Sequence, residues 1–338
     1  MFIVTGSFLG SNGLTRTLTH FAFDFQNPIL EQQILGINFK NPIGLAAGFD
    51  KNARLLSILP EVGFGFAEVG SITGEKCDGN PKPRLKRLKK SKGLLVNYGL
   101  VNDGCEAVSK RLTGKKLKIP FGVNIAKTNC ALTADTQEGI KDYLKVFKVM
   151  SDIGDYCVLN ISCPNAFGGQ PFTTPDKLEA LLKIIFNEPK CKPVFLKLSP
   201  DLSLDEVDEL IRVIDKFQID GIIISNLTKD RNNNSIQDSN IPENGGMSGK
   251  IVEKLSDDMI AHVYQKTKGR YVIIGCGGVF SAEDAYKKIK LGSSLIQLIT
   301  GMIFEGPQLI GEINSGLVKL LKNEGYKSIS EAVGKASN

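Results

Sequence analysis

Eight short apolar runs, each separated from the next by helix-like or loop sequence, place this 338-residue chain in the α/β class, as a (β/α)8 TIM barrel with an N-terminal extension. Three observations carry that prediction. The runs are β-branched and almost wholly apolar, as parallel strands covered on both faces must be. Most are spaced widely enough to hold one helix between strands. The first run ends in AAGFDKN and not in G-x-G-x-x-G, which counts against the runner-up, a doubly wound open sheet.

Taken in order, the predicted strands cover 43–47, 66–70, 119–125, 157–161, 194–198, 221–225, 271–275 and 294–298. Each stops at or near Gly, Ser or Asn, residues that turn the chain. Helical periodicity fills 136–151, 175–186, 204–217, 250–266, 282–291 and 308–323. Ser203 before LDEVDEL and Ser281 before AEDAY are helix-start signals. A minimal barrel needs about 250 residues, so the chain carries insertions, at 75–118 and 226–250. The predicted division is an extension over 1–40 and one barrel domain over 41–338. Within the extension, one short helix is expected around 14–25, although Phe21, Phe23 and Phe25 alternate and form no helical stripe.

Composition narrows the chemistry. With 42% hydrophobic and 23% charged residues the chain is not a disordered one. No apolar run reaches the roughly 20 residues of a membrane span, and MFIVTGSFLG lacks the basic start of a signal peptide, so a cytoplasmic protein is expected. The seven Cys form no CxxC pair and read as free thiols, which argues against zinc, iron–sulfur and any other metal site. Two histidines, His20 and His262, make a histidine mechanism a poor expectation. The formal charge of +6 comes from one segment, 81–93 (PKPRLKRLKKSKG), whose seven basic residues face no acid. Phosphate, nucleic acid and an anionic membrane surface are its functional readings; a solvated insertion is preferred. The run has no interleaved aromatics, so no nucleic-acid partner is expected. Oligomeric state is not legible.

Barrels collect their chemistry at the C-terminal strand ends. Those ends offer Ala46, Ala47, Gly48 and Lys51; Ser71; Asn124 and Lys127; Asn160, Cys163 and Asn165; Lys197; Ser225 and Asn226; Gly275, Gly277 and Gly278; and Thr300. Single Asn and Gly residues here are ordinary turn formers, and a lone Cys is usually a small buried hydrophobe. Lys197 is different. It stands within VFLKLSP among apolar neighbours, and a buried ammonium needs an anion. GCGG at 275–278, GGMSGK at 245–250 and Thr300-Gly301 supply N–H-rich loops suited to a phosphate. These residues argue for a phosphorylated cofactor or substrate.

Several stretches resemble the dihydroorotate dehydrogenase family over most of the chain from about residue 41: NPIGLAAGFDKN, GFGFAEVGSIT, FGVNIAK, NISCPN, LKLSPDL, DGIIISN, IIGCGGV and LIQLITG. GNPKPRLKRL, GGMSGK and SISEAVG are closest to its quinone-dependent, membrane-associated class 2. The resemblance implies an FMN enzyme, a CH–CH oxidoreductase that converts (S)-dihydroorotate to orotate in de novo pyrimidine biosynthesis. It implies that Ala46, Ala47, Gly48, Ser71, Asn124, Asn160 and Ser225 line the flavin. Gly249, Gly277, Gly278 and Thr300 would hold its phosphate, and Lys197 would stand near N1/O2. Lys51, Asn160, Asn165 and Asn226 would bind substrate, with Cys163 as general base while hydride passes to flavin N5. A quinone acceptor and peripheral attachment to the inner face of a membrane follow by the same implication.

Three departures stand out. The quinone class carries Ser where Cys163 stands. The family's substrate loop begins with Asn where this chain has Val96, with Asn97 one residue later. The Asn-Thr pair after the sixth strand is Asn226-Leu227, with Thr228 following. Asn97 is the expected substitute ligand in the loop. The alternatives are a family member acting on another dihydropyrimidine or cyclic amide, and a flavin-binding barrel without catalysis.

Overall fold

The computed structural model describes residues 2–115, 117–190 and 192–336. Two short helices come first, α1 (Phe2–Ser11) and α2 (Gly13–Phe23), followed by the hairpin β1 (Gln32–Ile34) and β2 (Ile37–Phe39). Next come β3 (Ile43–Leu45), β4 (Phe66–Ile72), β5 (Leu85–Leu88), β6 (Gly93–Val96) and α3 (Cys105–Leu112). The middle of the chain runs β7 (Phe121–Ile125), α4 (Thr136–Met150), β8 (Tyr156–Asn160), α5 (Pro175–Ile185), β9 (Val194–Lys197), α6 (Leu204–Ile214) and β10 (Gly221–Ile224). The remainder is β11 (Gly246–Gly249), α7 (Glu253–Thr267), β12 (Val272–Cys276), α8 (Ala282–Lys290), β13 (Leu295–Leu298), α9 (Thr300–Glu305) and α10 (Leu309–Asn323).

Strands β3, β4, β7, β8, β9, β10, β12 and β13 close into a barrel, all neighbours parallel, with Ile296 beside Ile43 at the closure. All eight predicted strands are present, within two residues at either end, the usual uncertainty of an element boundary. The six predicted helices are also there. α6 opens with a capping box, Ser203 Oγ accepting from Glu206 N while the Glu206 side chain accepts from Ser203 N.

The barrel floor is filled by an alternation of glycine and aromatic rings around the strands. A Cβ on Gly44 would fall 2.3 Å from the Phe66 ring, one on Gly122 2.2 Å from Tyr156, and one on Gly221 2.3 Å from Phe195. Each ring therefore crosses the interior because the adjacent strand has no side chain there. Phe39 of the β1–β2 hairpin plugs the bottom, edge-on to Phe66 at 5.5 Å. A larger apolar shell between barrel and helices supplies most of the buried core.

Two parts differ from the expectation. The extension holds two helices, not one. α1 has no charged residue and interleaves Thr5, Ser7, Ser11 and two glycines with its apolar residues, so no amphipathic period announces it. Asn12 starts α2 by accepting from Leu14 N at 2.8 Å. The insertions at 75–118 and 226–250 are not bare loops: β5, β6 and β11 form an antiparallel sheet in the order β11-β6-β5. The basic run lies on its β5–β6 hairpin, where Arg87 donates to the Ile303 carbonyl at 2.8 Å and Lys86 to that of Asn240 at 3.0 Å.

Candidate active site

A cavity of about 670 Å³ opens at the C-terminal strand ends, in the size range of cofactor and ligand sites. β3 delivers Ala46, Ala47, Gly48 and Lys51; β4 delivers Ser71; β8 delivers Asn160, Cys163 and Asn165. Lys197 ends β9, Ser225 and Asn226 follow β10, and Gly249, Gly277, Gly278 and Thr300 complete the wall.

Two predicted residues lie elsewhere. Asn97 does not line the cavity: its Oδ1 accepts from Asn80 Nδ2 at 2.8 Å and its N–H goes to the Arg84 carbonyl at 2.8 Å. Strand alternation explains this, because β6 presents Val96 to the cavity and the next residue away from it. Thr228 is likewise occupied, its hydroxyl donating to Asp201, while Leu227 lines the wall. Asn124 lies one layer deeper, fully buried, taking the Ser71 hydroxyl proton on Oδ1 and donating Nδ2 to Glu68 Oε1 at 2.7 Å. It touches the cavity only through Ser71.

At the glycine-rich end, the backbone N–H groups of Gly277, Gly278, Thr300 and Gly301 find no acceptor among the described residues. Ser248 Oγ and Thr300 Oγ1 share a hydrogen bond of 2.8 Å beside them. A side chain on Gly48, at φ +108°, would extend into open space, its nearest neighbour being Ile299 at 3.9 Å. Lys197 is buried at the same wall with no hydrogen-bond or ion-pair partner among the described residues. Unpaired donors at one end and an unpaired buried cation at the side suit a ligand that carries a phosphate and further negative charge.

At the other end stand the polar side chains. Asn160 Nδ2 donates to Ser71 Oγ at 2.8 Å, and Asn226 Nδ2 donates to Ser162 Oγ at 3.0 Å and to Asn160 Oδ1 at 3.2 Å. Lys51 lies 4.2 Å from the centre of the Tyr98 ring and donates to the Gly48 carbonyl. Burial pushes its ammonium down to about 8, with Asp50 pulling the other way. Burial raises the Cys163 thiol above its ordinary range. The N–H groups of Asn165 and Ala166 and the ammonium groups of Lys127 and Lys229 counteract this. Lys127, itself buried and lowered by burial, is tethered to the Phe167 carbonyl at 2.6 Å.

Sequence reasoning missed Glu68, Gln297 and Tyr98. For Glu68 a signal existed: a lone carboxylate inside the apolar run FAEVG invites the same question as Lys197 in VFLKL.

Comparison with known proteins agrees with this geometry. The family model described as dihydroorotate dehydrogenase matches residues 29–321. A Trichodesmium erythraeum protein named dihydroorotate dehydrogenase (quinone) is 39% identical over 333 residues, covering 95% of this chain and 87% of that protein. One of the same name from Haloarcula marismortui is 39% identical over 305 residues, covering 90% and 85%. The crystal structure of the Eimeria tenella enzyme in complex with ferulenol superposes with a TM-score of 0.85 at 29% identity, covering 96% of this chain and 95% of that one.

Proposed function

This chain belongs to the dihydroorotate dehydrogenase family, and from that premise we propose an FMN enzyme that oxidises dihydroorotate to orotate, a step of pyrimidine biosynthesis. The observation that carries the cofactor is the buried, unpartnered Lys197 on the same wall as the unpaired N–H groups of Gly277, Gly278, Thr300 and Gly301. When bound, FMN supplies the acceptor for the hydride leaving C6 of the substrate. Gly249, Gly277, Gly278 and Thr300 hold its phosphate. Ala46, Ala47, Gly48, Ser71 and Ser225 line its ring, and Lys197 stabilises negative charge there.

The chain's own residues bind the substrate and move its proton. Lys51 pairs with the carboxylate. Asn160, Asn165 and Asn226 meet the ring amides, each able to offer a donor or an acceptor. Asn165 is held at this end by its Nδ2, which donates to the Val96 carbonyl at 2.9 Å. Cys163, as thiolate, takes the C5 proton, and the nearby Lys127 ammonium favours that charged form.

The electron acceptor is a quinone that enters beside α1. Supporting this, Ile3 of α1 lines the cavity together with the apolar side chains of Leu85, Phe280 and Ile303. Val4 and Phe8 on α1, and Leu14, Leu18 and Phe21 on α2, are exposed on the same pair of helices. Such a patch suits peripheral contact with a membrane surface, and no helix among the described residues is long and apolar enough to cross one.

The test is anaerobic addition of dihydroorotate to the purified protein. Loss of the oxidised flavin band is expected; an unchanged spectrum overturns the reading.

A further inference from the structure

Beneath the site lies a carboxylate that this chemistry leaves unused. Glu68 is fully buried inside the barrel, and no cation among the described residues pairs with it. Both of its oxygens accept hydrogen bonds, Oε1 from Asn124 Nδ2 at 2.7 Å and Oε2 from Gln297 Nε2 at 2.6 Å. Oε1 is thus the acceptor that faces Asn124, which has to offer it an N–H.

That restriction propagates upward. Asn124 must turn its NH2 to Glu68, so its Oδ1 is left to accept the Ser71 hydroxyl proton. With that proton committed, Ser71 Oγ accepts from Asn160 Nδ2 at 2.8 Å. Asn160 Oδ1 then accepts from Ser162 Oγ at 3.0 Å and from Asn226 Nδ2 at 3.2 Å. Asn226 spends its other N–H on Ser162 Oγ at 3.0 Å, and its Oδ1 accepts from Leu227 N at 2.9 Å. Five side chains in series thus run from Glu68 to the cavity wall, each oriented by the one below. An amide in isolation can turn over and exchange donor for acceptor; in this chain of contacts each amide is held one way round.

We propose that Glu68 is a positioning residue whose Oε1, accepting from Asn124, sets the donor and acceptor pattern that Asn160 and Asn226 present to the substrate ring. The pattern leaves Asn160 one N–H and Asn226 an oxygen lone pair. The wall then offers one donor and one acceptor, complementary to a ring carbonyl and a ring N–H. This rests on the reading above that these asparagines face the substrate.

The experiment compares orotate binding, by titration calorimetry on the flavin-loaded protein, in the unaltered chain and in Glu68→Gln, Glu68→Met and Asn124→Leu. Glu68→Gln can keep an oxygen toward Asn124 and turn its NH2 to Gln297, whose Oε1 is buried without a partner. Its dissociation constant is expected within threefold of the unaltered protein. Glu68→Met removes the acceptor, and Asn124→Leu cuts the series one link higher, so a loss also seen in the second does not depend on how well the first folds. Each is expected to weaken orotate at least tenfold with flavin still bound. Orotate affinity within threefold in either apolar variant overturns the proposal, as does a loss in Glu68→Gln as large as in Glu68→Met. Failure of the underlying reading looks different: the unaltered protein would not bind orotate at all, which removes the proposal with it.

Discussion

Asn165 donates Nδ2 to the carbonyl oxygen of Val96 at 2.9 Å, and the amide oxygen on its other side is buried without a partner. The contact uses the backbone of residue 96, so it survives a change of side chain. It also leaves Val96 lining the cavity, at the position where the family's loop has Asn and on the side that the proposed reading gives to the substrate. Val96→Asn is therefore expected to lower KM for dihydroorotate about fivefold, the value of one added hydrogen bond of about 1 kcal/mol. Steady-state kinetics decides; an unchanged or higher KM contradicts the placement of Val96 against substrate.

Lys51 gives a pH dependence with a definite sign. Its ammonium, pushed down to about 8 by burial, must be charged to hold a carboxylate. Orotate affinity should be level below pH 8 and weaken as pH rises above it, because the free site loses its proton there while the anion-bound site keeps it. Lys51→Met should abolish that slope and weaken binding by about 1.5–3 kcal/mol, roughly ten- to a hundredfold. Flavin absorbance titrations with orotate at several pH values measure both.

Cys163 pulls the opposite way. Burial raises its thiol, so the thiolate fraction, and with it the rate of flavin reduction by dihydroorotate, should climb with pH across the neutral range. Lys127→Met takes away a nearby positive charge and should move that profile to higher pH, with Lys127→Arg largely restoring it. Cys163→Ala should slow reduction by about 10²–10⁴ while leaving flavin bound. Anaerobic stopped-flow across pH checks all three; a Cys163→Ala enzyme reduced at the native rate refutes this residue as the base.

Gly249 allows a clean test of the phosphate wall. Its φ is +82°, and a Cβ there would fall 2.2 Å from the Lys92 carbonyl oxygen. Gly249→Ala should destabilise by more than about 1 kcal/mol and lower the flavin-to-protein ratio after purification. Gly13→Ala, whose Cβ would meet nothing within 4 Å, is the matched control and should change neither. Thermal melting and flavin absorbance per chain give the two readouts.

Much of this molecule was legible along the chain. The eight strands and six of the helices follow from periodicity, since residues two or about 3.6 apart share a face and a burial. Lys197 was legible too, being a charge inside an apolar strand. α1 was not, because its apolar and hydroxyl residues follow no helical period. Nor was the β11-β6-β5 sheet, whose strands come from separate insertions. Neighbours in sequence could not tell Val96 from Asn97 as the cavity residue: that depends on how pairing with β5 and β11 sets the face that β6 turns to the cavity. The polarity of the asparagines depends on contacts of long range too. Glu68 meets Asn124 across 56 residues and Gln297 across 229. Local spacing encodes which face of an element is buried, and so the barrel and its rim. Which end of an amide faces the substrate depends on hydrogen bonds between distant strands, and those exist only once the barrel has closed.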